Sequence, residues 1–252
     1  MVDEVDTRIP LDLHPGAIAN LPGYEEEEVR AVLNGTERLL RTTTENLAAI
    51  HDAKAAAATD PTLTPAAALL KVDDYASARM STVTKQWDQI ASTLANNIAQ
   101  YEKELSAPII AKASQMVSGE IRSHFKSLPQ SERVSAVQAA IRAGDEVTCS
   151  SLFGAPAYLS GLNEEMHREF TRLWQEKVNP LVAKRLRAVS AAHEYVERTG
   201  PLMLKEWHNA VGVIEETRED RSGRRIVVGR STASAIRKKK ASADQRFALP
   251  AN

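Results

Sequence analysis

Few residues in this 252-residue chain have types and spacing that could do chemistry. Glu164-x-x-His167 has the spacing with which helical bundles hold a di-iron centre, a carboxylate and an imidazole one turn apart on one face. Such a centre needs a second copy of the pair and two more inward glutamates. No second pair occurs, because His193 has Ser190 and His208 has Lys205 three residues before it. The pair therefore reads as a solvated one at a helix start, and no metal is expected. His193-Glu194 and Glu206-Trp207-His208 place acids beside imidazoles, but adjacent residues on a helix point apart. The chain has no His-Glu-x-x-His, Gly-x-x-x-x-Gly-Lys-Ser/Thr, Gly-x-Gly-x-x-Gly or Gly-x-Ser-x-Gly sequence. Cys149 is the single cysteine; it excludes an internal disulfide framework and most cysteine zinc sites, and reads as an inert buried thiol. The expectation is a protein that is not an enzyme and carries no cofactor.

The remaining candidate chemistry is electrostatic. Net charge is −1, unevenly placed. Residues 1–28 hold eight acids against Arg8 alone, net −7, and residues 221–252 hold nine bases against Asp244 alone, net +8. The expected partner-binding set is Arg224, Arg225, Arg230, Arg237, Lys238, Lys239 and Lys240. Such a tail can bind a phosphate backbone by releasing counterions. Its one aromatic, Phe247, gives no platform for base stacking. Docking on another protein, on the acidic head of another copy, or simple solubilisation are the other readings of the same charges.

These residues need elements to carry them, and the composition points to helices. Apolar residues make up 43% and aromatics only 5%, and no run alternates apolar and polar for long. The fold class expected is all-α: an elongated long-helix hairpin or bundle with extended N- and C-terminal arms. The organising stretch runs from Thr64 to about Phe125. Thr64-Pro65 is a helix start, and Met80, Val83, Trp87, Ile90, Leu94, Ile98, Tyr101, Leu105 and Ile109 recur every three or four residues. The stripe continues loosely through Ala113, Met116, Val117, Ile121 and Phe125. Sixty residues of helix span roughly 90 Å. Pro108 predicts one kink.

Before this helix, prolines and glycines make residues 1–23 an extended arm. Glu25 opens a helix to about Ala58 that Asn34-Gly35 is able to divide. After it, Leu128-Pro129 stops the rod. Residues 128–162 then form a compact cap with short helices at Ser131–Ala143 and Gly144–Phe153 and an apolar loop at Gly154–Leu162. Asn163 caps a second long helix ending at Gly200-Pro201. Its Pro180 lies about as far from the turn as Pro108 does, so antiparallel pairing gives one bent hairpin. A further helix from Pro201 includes Ile214, Ile226–Val228 makes a short strand, and Gly229 onward is a tail. The domains expected are an arm at 1–23, a helical body at 24–220 and a basic tail at 221–252. No apolar run is long enough to span a membrane, and no charged-then-apolar export signal opens the chain.

The stretch Ala139-Ala140-Ile141-Arg142-Ala143-Gly144-Asp145, with Leu152-Phe153-Gly154-Ala155-Pro156-Ala157-Tyr158-Leu159-Ser160-Gly161-Leu162, resembles a segment of uncharacterised helical tailed-phage proteins. The resemblance covers residues 139–162 and carries no catalytic residue. It implies a virion component, capsid-associated, connector or internal, present in the host cytoplasm before assembly. Its partners would be copies of itself or other virion proteins. A nucleic-acid-binding accessory protein using the basic tail is the alternative.

Overall fold

Thr64 caps the central helix as its sequence requires: its hydroxyl accepts from the Ala67 amide at 3.2 Å. The computed structural model describes residues 5–219 and 225–247. Within them the fold is all-α, apart from one two-stranded hairpin. In chain order the elements are α1 (Glu27–Thr59), α2 (Pro65–Leu105), α3 (Gln115–Ser127), α4 (Gln130–Ala143), α5 (Glu146–Phe153), α6 (Ala157–Ser160), α7 (Glu164–Val178), α8 (Pro180–Val211), β1 (Ile214–Glu219), β2 (Arg225–Ser231) and α9 (Ala233–Phe247). They form two compact units: residues 1–21, 33–93 and 192–252, and residues 22–32 and 94–191.

The first unit is built on long-helix seams. Leu33, Leu40, Leu47 and Ile50 of α1, Met80, Val83 and Trp87 of α2, and Val196 and Met203 of α8 are buried in it. Trp87 donates its indole N–H to the Thr43 hydroxyl at 3.0 Å, and Thr43 in turn donates to the Leu39 carbonyl at 2.8 Å. The head is laid on these helices, and its backbone is not extended throughout. Leu11–Leu13 and Pro15–Asn20 form 3-10 turns, and Ile9, Leu13 and Ile18 are buried. Thr44 donates to Leu13 O at 2.7 Å, and Arg8 joins Asp6 to Asp52 with contacts of 2.6 and 2.7 Å.

Two expected breaks are absent. α1 runs unbroken through Asn34-Gly35. Gly35 is a close approach: a Cβ there would stand 3.3 Å from Ile90 Cδ1, so its small size serves the α1–α2 seam and does not end a helix. α8 likewise runs through Gly200-Pro201. An internal proline costs about 3 kcal/mol. The buried stripe on either side, Ala192 and Val196 before it and Met203 and Ala210 after it, holds the helix together. Ile214, expected on that helix, instead begins β1.

The second unit holds the cap. Phe125, Val137, Ile141, Cys149, Leu152, Phe153, Leu162, Phe170 and Trp174 form its core. Asp145 and Asn163 cap α5 and α7 by accepting from Thr148 N at 3.0 Å and Met166 N at 2.7 Å. The central rod is not merely kinked at Pro108: residues 106–114 leave the helix, and Ser114 starts α3 with a new cap. The restart changes the phase of the stripe. Ser118 and Phe125 turn inward, whereas Met116 and Val117, expected inside, are exposed. The released segment is held by the cap. Lys112 N donates to Ser150 Oγ at 3.1 Å, and Gln175 Nε2 donates to Ala107 O at 2.9 Å. That last bond joins the Pro108 break to the end of α7, where Asn179 separates it from α8 at Pro180.

Arg133 ties the unit together. It donates to the carbonyls of Phe125 at 2.8 Å and Leu128 at 2.7 Å, satisfying the uncovered end of α3, and also to Gly161 O. Gly161 closes α6 in the left-handed region, at φ 73°.

Candidate interaction surfaces

The expected tail is folded from residue 225. β1 and β2 pair antiparallel, with Glu215 opposite Arg230 and Glu219 opposite Arg225, and a bulge near Glu216/Thr217. Thr232 Oγ1 then accepts from Ala235 N at 3.3 Å and starts α9, a run of good helix formers that the irregular-tail expectation missed. Arg224, of the expected partner-binding set, lies outside the described residues. Arg225 opens β2.

Two of the expected partner-binding cations are used inside the chain. Arg230 meets Glu215 at 3.0 Å. Arg237 Nη2 reaches Asp73 at 2.6 Å and Asp74 at 2.7 Å on α2, and these carboxylates raise its pKa further. Lys238, Lys239 and Lys240 are exposed, with no carboxylate in ion-pair range among the described residues. Apart from buried Ala233 and half-buried Ala235 and Ile236, the described side chains of α9 lie in solvent. A 15-residue helix of this kind gains little from its own propensity and is held by its anchors.

The cap also leaves large apolar side chains in water. Ile110, Met116 and Tyr158 are 84%, 74% and 65% exposed, and Val117, Val147 and Leu159 are also exposed. They come from the segment before α3 and from α3, α5 and α6, elements that pack on one another. The apolar loop expected at Gly154–Leu162 buries only part of its apolar residues. Ala157, Ser160 and Leu162 face the core, and Tyr158 and Leu159 face out. The cause is the short helix α6, which turns alternate sides of this run to core and water. Gly154 lets the linker approach: a Cβ would stand 2.7 Å from both Ile109 O and Ser150 O.

The polar candidates stay apart. Glu164 is exposed at the start of α7. His167 lies one turn on, its ring edge-on to Phe153 at 6.0 Å between centroids. His167 Nε2 and Thr171 Oγ1 are buried without a hydrogen-bond partner among the described residues, and both residues line a cavity of about 430 Å³ together with Glu102, Ser106 and Arg168. Among the described residues no three His, Cys, Asp or Glu side chains gather as a metal would require. Cys149 is fully buried, and loss of solvent, with Asp145 adding to it, pushes its thiol up to about 12.

The described residues make an all-α protein that carries exposed lysines on α9 and exposed apolar side chains on the cap. No described helix is long and apolar enough to cross a membrane. No family model, curated protein or solved structure matches this chain.

Proposed function

We propose that this chain is a non-enzymatic structural component of a phage particle, a capsid-associated, connector or internal protein, that acts by packing its helical surfaces against copies of itself or other virion proteins. The observation that carries the reading is the apolar cap. Monomeric proteins seldom leave several large apolar side chains in water on one group of elements unless another surface covers them, and Ile110, Met116 and Tyr158 do so here. The segment that resembles the phage proteins, residues 139–162, contributes Val147, Tyr158 and Leu159 to this surface. Mass spectrometry of purified particles tests the reading: the protein is expected at a fixed copy number, and its absence from particles would remove it.

The lysines of α9 favour a second reading, a nucleic-acid contact. Three neighbouring cations without counter-charges would add a salt dependence of slope about −3 in log K against log salt. Fluorescence anisotropy with duplex DNA checks this. Loss of the slope on K238E/K239E/K240E supports a DNA contact, and no binding at low salt in the wild type removes it.

A further inference from the structure

The second unit contains a groove that neither surface above uses. It lies among α4, α7 and α8, with a volume of about 560 Å³ and an apolar floor at Ile141, Leu173 and Pro180. Leu173 is 48% exposed, although it belongs to the apolar stripe of α7. The rim carries four cations, Arg142, Lys177, Lys184 and Arg187, and one carboxylate, Glu176. That carboxylate is already shared between Arg172 at 3.0 Å and Arg187 at 3.7 Å. Lys184 has a partner outside the groove's own lining: Glu26, in the acidic run before α1, at 2.7 Å. Arg142 and Lys177 have no carboxylate in ion-pair range among the described residues.

The occupant that fits must bring two negative charges for Arg142 and Lys177 and an apolar side chain for Leu173. The chain begins Met1-Val2-Asp3-Glu4-Val5, two adjacent acids flanked by valines. The rim already takes one carboxylate of the acidic first part of the chain, through Glu26. Resting on the reading of a self-associating particle component, we propose that the groove receives residues 1–5 of a second copy. Asp3 and Glu4 then pair with Arg142 and Lys177, and a valine covers Leu173. Arm and groove are different surfaces, so the contact closes as a dimer where two copies exchange arms and otherwise propagates from copy to copy into rings or rows.

Sedimentation of the full chain at about 150 mM salt tests the groove. The wild type is expected to gain mass with concentration. R142E/K177E and D3K/E4K, each alone, are expected to weaken association about tenfold or more, because like charges then face each other. An equimolar mixture of the two variants restores it, since each then offers the complement of the other. R142Q/K177Q, melting like the wild type, keeps the test valid if charge reversal disturbs the fold. A wild type that stays monomeric at every concentration, a variant that associates like the wild type, or a mixture that does not recover would overturn the inference. Particle mass spectrometry separates the two ideas: a chain present in particles with unaltered incorporation of R142E/K177E sinks the groove and leaves the structural role standing.

Discussion

Trp87 shows how a single polar pair holds a seam. Its indole N–H is buried and, among the described residues, donates to Thr43 Oγ1 alone. Thr43→Val keeps the shape and removes the acceptor, and an orphaned buried donor costs about 1–3 kcal/mol. Urea unfolding should register that loss, with Thr43→Ser close to wild type. Cys149 gives a second check at this scale. With its thiol pushed up to about 12 by burial, it should resist alkylation at pH 8 in the native protein and react fully once unfolded. The docked head has its own pH signature. Arg8 holds the Asp6 carboxyl down at about 2, against an ordinary 3.8. Its folded pKa is depressed, so its stabilisation is complete above about pH 4 and fades as pH falls toward 2. His51, beside Arg8 and Asp52, is also depressed, by burial first and Arg8 second. Its contribution is full above 6.5, its ordinary value, and declines below it. Hydrogen exchange at Leu13 and Ile18 should therefore lose protection in two steps on acidification.

At the scale of elements, two glycines in similar-looking places have opposite roles. Gly200 sits inside α8, 3.7 Å from Trp87 Cε3, but Pro201 Cδ crowds a Cβ at the residue before it, so Gly200→Ala should stabilise by less than the about 0.5–1 kcal/mol of an open helix site. Gly154 has two carbonyl oxygens at 2.7 Å, and Gly154→Ala should cost about 1–3 kcal/mol as the linker is forced off α5. Thermal melts of the pair distinguish the two signs. The same contrast explains what could be read from the sequence. The caps at Thr64, Asp145 and Asn163 and the stop at Leu128-Pro129 are local, and local chemistry decides them. The continuity of α1 through Gly35 and of α8 through Pro201 is set by burial against distant residues, which outweighs the local signal. The nine residues that leave the helix around Pro108 are stabilised by Ser150 and Gln175, 38 and 68 residues along the chain from their partners. β1 was hidden because its described side chains are mostly polar and its pairing is with a strand beyond residue 224.

For the whole molecule, the near-zero net charge hides poles that are partly neutralised within the chain. Arg230 and Arg237 are paired with acids of the same chain, which leaves Lys238, Lys239 and Lys240 as the cations of the predicted partner-binding set with described side chains that have no carboxylate in ion-pair range among the described residues. The basic end was legible from composition; its internal pairing was not, because Asp73 and Asp74 are 164 and 163 residues away. The apolar run was visible in the sequence as a loop of the cap; its exposure was not, because the phase of α6, not hydrophobicity, turns Ala157 inward and Tyr158 to water. On the account proposed here that exposed face is the contact the particle needs. Y158K/L159K changes two exposed side chains and should alter stability by no more than about 0.5 kcal/mol. The most direct measurement is the amount of wild type and Y158K/L159K incorporated into purified particles from cells expressing both at equal level, counted by peptide mass spectrometry. A structural role through the cap predicts that the variant is depleted about tenfold or more, as loss of roughly 1.4 kcal/mol of contact requires. Equal incorporation, or neither form in particles, would contradict it.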